Sequence, residues 1–350
     1  MEVGLVGFPL SGKTTIFNAI TGATAQTKSF SSQAGKFNLA EVKVPDERLN
    51  QLAAIFKPRK ITPATLLVKD ITLEIDSAGR IKTESLIPIR NLDAIVLVIR
   101  AFENESVPLP HPAANPFSDF KQLLDSFIFN DYEICERRLE RLKKEGKLAS
   151  REAVLLNELS SILAQGRLIG PDTLETHDKK LLSGFCLLTI KPILVLANLG
   201  DKALPVSELH DLCQKLGIPF NSLRGDLESE IAQLPVTEQE AFLKDLGVNE
   251  PAVNRFVQQI YRSLKLISFL TAGEDEVRAW SIQEGTLAVN AAGKIHSDLE
   301  KGFIRAEVVF WQDLLVAGSF AEAKRRGLLH LEGKEYLVKD GDVLTIRFNV

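Results

Sequence analysis

The segment GFPLSGKT, residues 7–14, fits the pattern G-x-x-x-x-G-K-[ST] of a phosphate-binding loop. A short apolar run, residues 3–6, precedes it, and residues 14–20 read as the beginning of a helix. Strand, glycine-rich loop and helix in this order are the context that such a loop requires. The segment therefore predicts a chain that binds the phosphates of ATP or GTP.

The residue types in this loop suit a polyphosphate ligand. Glycines let backbone N–H groups converge on phosphate oxygens without a Cβ in the way. Lys13 is expected to reach the β- and γ-phosphates, the hydroxyl of Thr14 is expected to ligate Mg²⁺, and the helix adds its positive dipole end. We predict these phosphate-binding residues: Gly7, Leu10, Ser11, Gly12, Lys13, Thr14 and Thr15.

Apolar runs of strand length recur at residues 66–68, 94–99 and 193–197. Buried parallel strands have this composition, because helices cover both faces of their sheet. Strands that alternate with helices along the chain predict a doubly wound α/β domain.

Two changes in composition divide the chain further. Four prolines between residues 103 and 118 predict a loop, and apolar residues spaced by three and four from about 119 to 165 predict two antiparallel helices that meet near Gly146. Short alternating runs with many glycines begin near residue 267 and predict a small β-rich domain. We therefore predict a nucleotide-binding domain of residues 1–118 and 190–265, a helical insertion of residues 119–189, and a carboxy-terminal domain of residues 267–350.

Bulk composition narrows the class of protein. The formal net charge of −4 argues against a surface coated with basic residues for bulk nucleic-acid binding, so we expect no DNA specificity. The three cysteines contain no CxxC pair, which favours reduced thiols in the cytosol. No apolar run approaches the roughly 18 residues that span a bilayer. We expect a soluble, cytoplasmic protein that does not associate with membranes.

A second carboxylate is expected at the metal. Asp70 follows the run at residues 66–68, where GTPases place an aspartate that reaches Mg²⁺, usually through water. The glycine expected three positions later is Leu73, and Glu74 takes the place of a water-orienting glutamine. A carboxylate there would be repelled by the γ-phosphate unless it is protonated or turned away. The alternative is that Asp70 is only a loop residue at the end of a strand.

Residues 198–201, Asn-Leu-Gly-Asp, follow the run at residues 193–197. An N-K-x-D element there binds guanine, because the aspartate accepts hydrogen bonds from the base while the lysine packs over the ring. Here Leu199 keeps the aliphatic packing without the charge, so the identity of the base stays open between adenine and guanine. We predict base contacts from Asn198, Leu199 and Asp201, with a plain turn at the strand end as the alternative.

Five segments of the carboxy-terminal part carry a resemblance to a known family. They are FLTAG at 269–273, EVRAW at 276–280, AAGKIH at 291–296, GFIRAE at 302–307, and DGDV at 340–343 with FNV at 348–350. With the VPD of residues 44–46 and the phosphate loop, they make the chain resemble the YchF-type branch of the Obg-like P-loop GTPases over essentially its whole length. The resemblance implies a GTPase-like core, an inserted helical hairpin, a β-grasp TGS domain, a preference for ATP over GTP, slow hydrolysis and ribosome association.

The chain departs from this family's pattern mainly in its switch regions. The threonine of switch I that ligates Mg²⁺ falls on Ala34, which has no oxygen to offer, and the glycine after Asp70 falls on Leu73. The base element ends in Asp201 instead of the usual glutamate, and the expected histidine is His111, two positions displaced. Nucleotide binding and hydrolysis must therefore be judged separately.

Two functional hypotheses follow from these observations. The first is a weak ATPase or GTPase that acts as a nucleotide switch on the translation machinery. The second is a nucleotide-binding adaptor with little or no hydrolysis. A small-molecule kinase is disfavoured, because no acceptor-site motif is visible.

The hairpin segment suggests one partner. Its seven basic residues exceed the four acidic ones between Glu133 and Arg151, and this excess fits either a solvated helix face or a surface that docks on the ribosome through ribosomal RNA. The basic residues are Arg137, Arg138, Arg141, Lys143, Lys144, Lys147 and Arg151.

Overall fold

The computed structural model describes residues 1–22, 28–32, 35–104, 115–245 and 247–349. The predicted switch-I position Ala34 and the histidine His111 lie outside these residues. The strands are β1 (Glu2–Gly7), β2 (Lys28–Ser32), β3 (Gly35–Lys43), β4 (Lys60–Thr62), β5 (Thr65–Thr72), β6 (Ala94–Glu103), β7 (Ile193–Leu199), β8 (Lys202–Ala203), β9 (Phe220–Arg224), β10 (Leu266–Ala272), β11 (Glu276–Gln283), β12 (Phe303–Phe310), β13 (His330–Glu332) and β14 (Asp342–Phe348).

Helices alternate with these strands in the first two thirds of the chain, and further helices follow in the last third. They are α1 (Lys13–Thr21), α2 (Glu47–Phe56), α3 (Pro116–Lys144), α4 (Arg151–Ala164), α5 (Thr176–Leu182), α6 (Ser207–Leu216), α7 (Gly225–Gln233), α8 (Val236–Asp245), α9 (Ala252–Ser263), α10 (Ala288–Ile295), α11 (Ser297–Lys301), α12 (Trp311–Ala317) and α13 (Phe320–Arg325). None of the described helices is both long and apolar enough to cross a lipid bilayer.

The first sheet has the strand order β2-β3-β5-β1-β6-β7-β9, with β8 paired to β6. Strand β1 lies parallel to both β5 and β6, and β7 lies parallel to β6 and β9. Every residue of β6 from Ala94 to Ala101 is buried, because helices cover the sheet on both faces. Helices α3 and α6 share a core with Ile95 and Leu97 of β6, and α1 packs on α7 and β1. This confirms the doubly wound P-loop GTPase-like fold.

The predicted helical hairpin is present, and it begins earlier than expected. Helix α3 starts at Pro116, inside the segment that the prolines assigned to a loop. Proline is well tolerated in the first turn of a helix, because its missing N–H would have no helical partner there. The side chain of Asn115 caps this turn by accepting a hydrogen bond from the backbone N–H of Ser118 at 2.7 Å. Helix α4 returns after a turn that contains Gly146, whose φ is 69°.

Contacts between described residues divide the chain into two compact units, residues 1–41 with 67–253 and residues 42–66 with 254–350. Residues 42–66 thus lie with the carboxy-terminal part, although the sequence boundaries placed them in the nucleotide-binding domain. The reason is a long-range pairing: β4 lies parallel to β11, with Ile61 opposite Val277. The three-domain division itself stays a prediction.

The second unit is built on a sheet of order β13-β12-β14-β10-β11-β4. Strands β10 and β11 form an antiparallel pair, and β10 also contacts β14 in parallel. Helix α10 packs across this sheet, with Ala288 and Ala291 buried against Phe269. A helix across such a mixed sheet agrees with the expected β-grasp domain.

Candidate nucleotide-binding site

The predicted phosphate loop lies between β1 and α1, and two of its glycines are required by close packing. Gly12 precedes α1 with a φ of 83°, and a Cβ on it would lie 2.0 Å from Nδ2 of Asn198. A Cβ on Gly7 would lie 2.4 Å from the carbonyl oxygen of Val98 in β6. Both distances are far below a normal contact, so the backbone can follow this path only with glycine at these positions.

Lys13 is the buried cation of the loop. Its residue is 3% exposed, and its Nζ donates a hydrogen bond to the carbonyl oxygen of Phe8 at 2.6 Å. Burial lowers the pKa of Lys13 to about 8, although the nearby charge of Asp70 opposes this shift. A desolvated ammonium group at a helix N-terminus is favourable for binding an anion.

Thr14 and Asp70 meet beside this lysine. The hydroxyl of Thr14 donates to Oδ2 of Asp70 at 2.7 Å, and Nδ2 of Asn38 lies 3.4 Å from the same oxygen. Asp70 is buried, and no donor among the described residues reaches its Oδ1. A buried carboxylate oxygen without a partner is costly, so the site is suited to a cation that oxygen ligands bind.

Asp70 lies within β5, whereas the sequence analysis placed it after a strand that ends at residue 68. The strand continues to Thr72 because Val6 and Gly7 of β1 pair with its last residues. In the sequence the apolar run stops at residue 68, because Lys69 follows it. Lys69 nevertheless lies within the strand, since only alternate residues of this part of the strand are buried. Asp70 is thus a strand residue and not a loop residue, and its role at a metal stays a prediction.

Asn198 holds the phosphate loop in place. Its Nδ2 donates to the carbonyl oxygen of Ser11 at 3.1 Å, and its Oδ1 accepts from the backbone N–H of Gly225 at 3.0 Å. The residue is buried. Because both ends of its amide contact the protein, Asn198 links the end of β7 to the phosphate loop after β1 and to the start of α7, which follows β9. The sequence analysis predicted Asn198 only as a base contact.

A cavity of about 570 Å³ opens beside this loop. It brings together predicted residues from distant parts of the sequence, namely Gly12, Thr15, Asn198, Leu199 and Asp201. Other lining residues were not predicted: Phe102, Glu103, Asn104, Lys202 and Asp226. The strand ends could have indicated Phe102, because β6 and β7 are parallel neighbours and their carboxyl ends meet at one edge.

Phe102 forms an aromatic wall of this cavity. The guanidinium of Arg100 lies 4.6 Å from the centre of its ring. A Cβ on Gly200 would lie 2.8 Å from Cβ of Phe102, so the turn after β7 packs directly against this wall. The ring and the side chain of Leu199 provide apolar surface of the kind that a purine requires.

Two carboxylates that line the cavity, those of Asp201 and Asp226, share one guanidinium. An Nη2 group of Arg224 donates to Asp201 at 2.6 Å and to Asp226 at 3.2 Å. The hydrogen bond that Arg224 donates to Asp226, followed by the charges of both aspartates, raises the pKa of Arg224. Asp201 is therefore bound by a protein cation in the absence of a base.

Positions 73 and 74 both make contacts within the protein. The side chain of Leu73 is fully buried in the core, and its backbone N–H donates to the carbonyl oxygen of Gly7 at 3.2 Å. Glu74 is exposed and forms an ion pair with Lys82 at 3.0 Å. A bridge between Ile75 and Ile81 closes the following turn. Glu74 thus has a lysine of the protein as its partner, and its orientation toward a γ-phosphate stays a prediction.

Most cations of the hairpin have acidic neighbours. Arg137, Arg138, Lys147 and Arg151 each contact a carboxylate, at 3.5, 2.7, 3.1 and 2.6 Å. The last turn of α3 is different, since Arg141, Lys143 and Lys144 are exposed there and form no ion pair within the described part of the chain. The free positive charge of the hairpin is concentrated at this turn.

Comparisons with known proteins identify relatives over the whole chain. Residues 266–349 match the family model YchF-GTPase_C, described as a protein of unknown function (DUF933), and residues 2–124 match MMR_HSR1, described as a 50S ribosome-binding GTPase. The chain is 35% identical to the ribosome-binding ATPase YchF of Pasteurella multocida, covering 100% of this chain and 99% of the relative. It is also 35% identical to that of Bacillus subtilis, with 100% of both chains covered.

A solved structure agrees with these matches. The YchF GTPase of Schizosaccharomyces pombe superimposes with a TM-score of 0.86 at 27% identity, covering 99% of this chain and 97% of that one.

Proposed function

The chain belongs to the YchF family, and from this membership we propose that it binds ATP or GTP with Mg²⁺, hydrolyses the nucleotide slowly and acts as a nucleotide-dependent switch on ribosomes. The observation that carries the proposal is the group at the N-terminus of α1 in which the buried Lys13 and Asp70 lie beside the exposed Thr14, whose hydroxyl donates to Asp70. Curated relatives of full length are named ribosome-binding ATPases, which supports the partner. An adaptor with little or no hydrolysis is the second candidate.

Thr14 and Asp70 would hold the magnesium ion. Both offer oxygen atoms, and the unpartnered Oδ1 of Asp70 is one that a cation would satisfy. When bound, the ion would offset the negative charge of the phosphate oxygens. Lys13 would exchange the carbonyl oxygen of Phe8 for a phosphate oxygen, and the backbone N–H groups of the first turn of α1 would bind the remaining ones.

We expect Mg²⁺ to strengthen the binding of a non-hydrolysable ATP analogue through Thr14. In Thr14→Val the hydroxyl is lost while the volume is kept, so the strengthening by Mg²⁺ should fall by about tenfold, close to the value of one charge-assisted contact. Thr14→Ser is the matched control, because it retains the hydroxyl and should retain the Mg²⁺ effect. Dissociation constants measured by titration with Mg²⁺ and with a chelator test this.

Equal affinity of the natural chain with and without Mg²⁺ would contradict the two-residue metal site. An equal Mg²⁺ effect in Thr14→Val and Thr14→Ser would exclude Thr14, but not Asp70, as a magnesium ligand.

Slow hydrolysis is expected from the residues that replace the catalytic switch positions. Leu73 uses its backbone N–H inside the protein, and Glu74 is paired with Lys82, so neither supplies a donor to the γ-phosphate in this structure. The loss of one stabilising donor costs about 10²–10³ in turnover in well-studied enzymes. A single-turnover assay with ATP and with GTP separates the two candidates: measurable phosphate release supports the slow hydrolase, and its absence despite tight binding supports the adaptor.

The last turn of α3 is the surface that we expect to contact ribosomal RNA. The double variant Lys143→Ala with Lys144→Ala should weaken co-sedimentation with ribosomes, and the slope of log affinity against log salt should fall by about 0.7 to 0.9 for each lost contact. The matched control is Arg137→Ala with Lys147→Ala, which removes the same charge from cations that have acidic partners. Equal effects of both pairs, or salt-insensitive binding, would favour a merely solvated helix face.

A further inference from the structure

The base end of the cavity contains an ion pair that a guanine base would have to break. Asp201 occupies the position from which a carboxylate reads guanine, where both of its oxygens accept hydrogen bonds from N1–H and the amino group. In this chain one of these oxygens, Oδ1, already accepts a hydrogen bond from Arg224 at 2.6 Å. The carboxylate that would read guanine is therefore engaged before any nucleotide arrives.

The fold places Arg224 where it can maintain this contact. Arg224 is the last residue of β9 and is paired in register with Leu199 of β7, two residues before Asp201. Asp226, in the first turn of α7, accepts a second hydrogen bond from the same Nη2 atom at 3.2 Å. Two aspartates on separate connections thus hold one guanidinium between them.

From this arrangement we infer that Arg224 is a specificity-determining residue of the proposed nucleotide site: by engaging Asp201 it weakens the binding of guanine nucleotides relative to adenine nucleotides. The inference rests on the proposed nucleotide binding. Adenine offers no N1–H and needs no acceptor pair, so it does not compete with Arg224 for Asp201. Its ring can still pack between Leu199 and Phe102, which both line the cavity.

The size of the effect follows from the exposure of the pair. Asp201 is 84% exposed and Arg224 40% exposed at their side chains, and ion pairs in such positions are worth less than about 1 kcal/mol. The removal of the guanidinium should therefore raise the ratio of GDP affinity to ADP affinity by about three- to fivefold. The direction of this change is as informative as its size, because the loss of a cation near a nucleotide would otherwise weaken both ligands.

The test is a set of dissociation constants for ADP and GDP, which avoids hydrolysis. Arg224→Gln should raise the ratio of GDP affinity to ADP affinity, and Asp201→Asn added to it should remove the gain. Arg151→Gln is the matched control, since Arg151 also contacts an aspartate at 2.6 Å but lies on the hairpin helix α4, and it should leave the ratio unchanged. An unchanged ratio in Arg224→Gln overturns the inference.

A second measurement needs no change at Arg224. Asp201→Asn in the natural background should alter the affinities for ADP and GDP to the same extent, within about twofold, because Asp201 is not free to read the base. A selective loss of GDP affinity in this variant overturns the inference. If the natural chain binds neither nucleotide, the proposed function fails and the inference with it, whereas binding of both with an unresponsive ratio overturns only the role of Arg224.

Discussion

Replacement of Lys13 by methionine is expected to weaken the binding of ATP and ADP by at least about thirtyfold. The removal of one partner from a buried, charge-assisted contact costs about 2–5 kcal/mol, and each 1.4 kcal/mol is a factor of ten in affinity. Methionine keeps the apolar stem that fills the loop and removes only the ammonium group. Titration of fluorescent ADP and ATP analogues measures the loss.

The same variant should remain folded. The ammonium is desolvated by burial, which is why the pKa of Lys13 falls to about 8, and it donates its hydrogen bond to the uncharged carbonyl oxygen of Phe8. Its removal therefore relieves a cost of the folded state, and we expect the melting temperature to change by no more than about 5 °C. A large loss of thermal stability would show that the lysine has a structural role that the geometry does not indicate.

Lys191→Met is the matched control for this experiment. Lys191 is also a partly buried lysine whose Nζ donates to a carbonyl oxygen, that of Leu92, at 2.6 Å, and burial also lowers its pKa. It precedes β7 and therefore lies at the amino-terminal ends of the parallel strands, whereas the phosphate loop lies at their carboxyl ends. Its substitution should leave nucleotide affinity unchanged. Full ADP affinity in Lys13→Met would contradict the whole proposed site.

The phosphate loop could be predicted from sequence because its chemistry is local. Gly7, Gly12, Lys13 and Thr14 stand within eight consecutive residues, and the strand before them and the helix after them are equally local. The apolar runs of β6 and β7 were also visible, because strands that are buried on both faces are apolar throughout. The β-grasp unit was predicted from the resemblance of the carboxy-terminal segments to the family.

The base end of the cavity could not be predicted in full, because sheet order creates it. Phe102, Asp201 and Arg224 follow or end the neighbouring strands β6, β7 and β9, and more than 120 residues separate the first from the last. Only the Asn198-to-Asp201 element has a recognisable pattern. The ion pair that engages Asp201 depends on Arg224 of β9, which belongs to no recognisable sequence motif.

The position of β4 shows a second limit. This strand has three residues, two of them exposed, so it has no periodicity from which a strand could be predicted. Its partner β11 lies more than 200 residues further along the chain. A boundary drawn from composition therefore kept residues 42–66 with their neighbours in sequence, whereas their contacts are with the other unit.

Gly12→Ala is expected to abolish nucleotide binding and to destabilise the fold, and these two effects have separable causes. An alanine at a φ of 83° costs about 1–2 kcal/mol, because its Cβ crowds the following carbonyl oxygen. Its Cβ would also lie 2.0 Å from Nδ2 of Asn198, so the loop must move. We expect at least about a hundredfold loss of ADP affinity and a loss of about 2–4 kcal/mol in the free energy of unfolding.

Gly217→Ala isolates the backbone effect. Gly217 has a φ of 67°, and among the described residues other than its chain neighbours no atom lies within 4 Å of the position of a Cβ, so its substitution should cost about 1 kcal/mol and leave ADP binding intact. Denaturant unfolding and ADP titration on both variants measure the difference, and similar behaviour of the two would exclude the steric argument. The double variant Gly12→Ala with Asn198→Ala then tests the contact itself. Because the obstructing amide is absent there, the two substitutions should destabilise the fold by less than the sum of their separate effects.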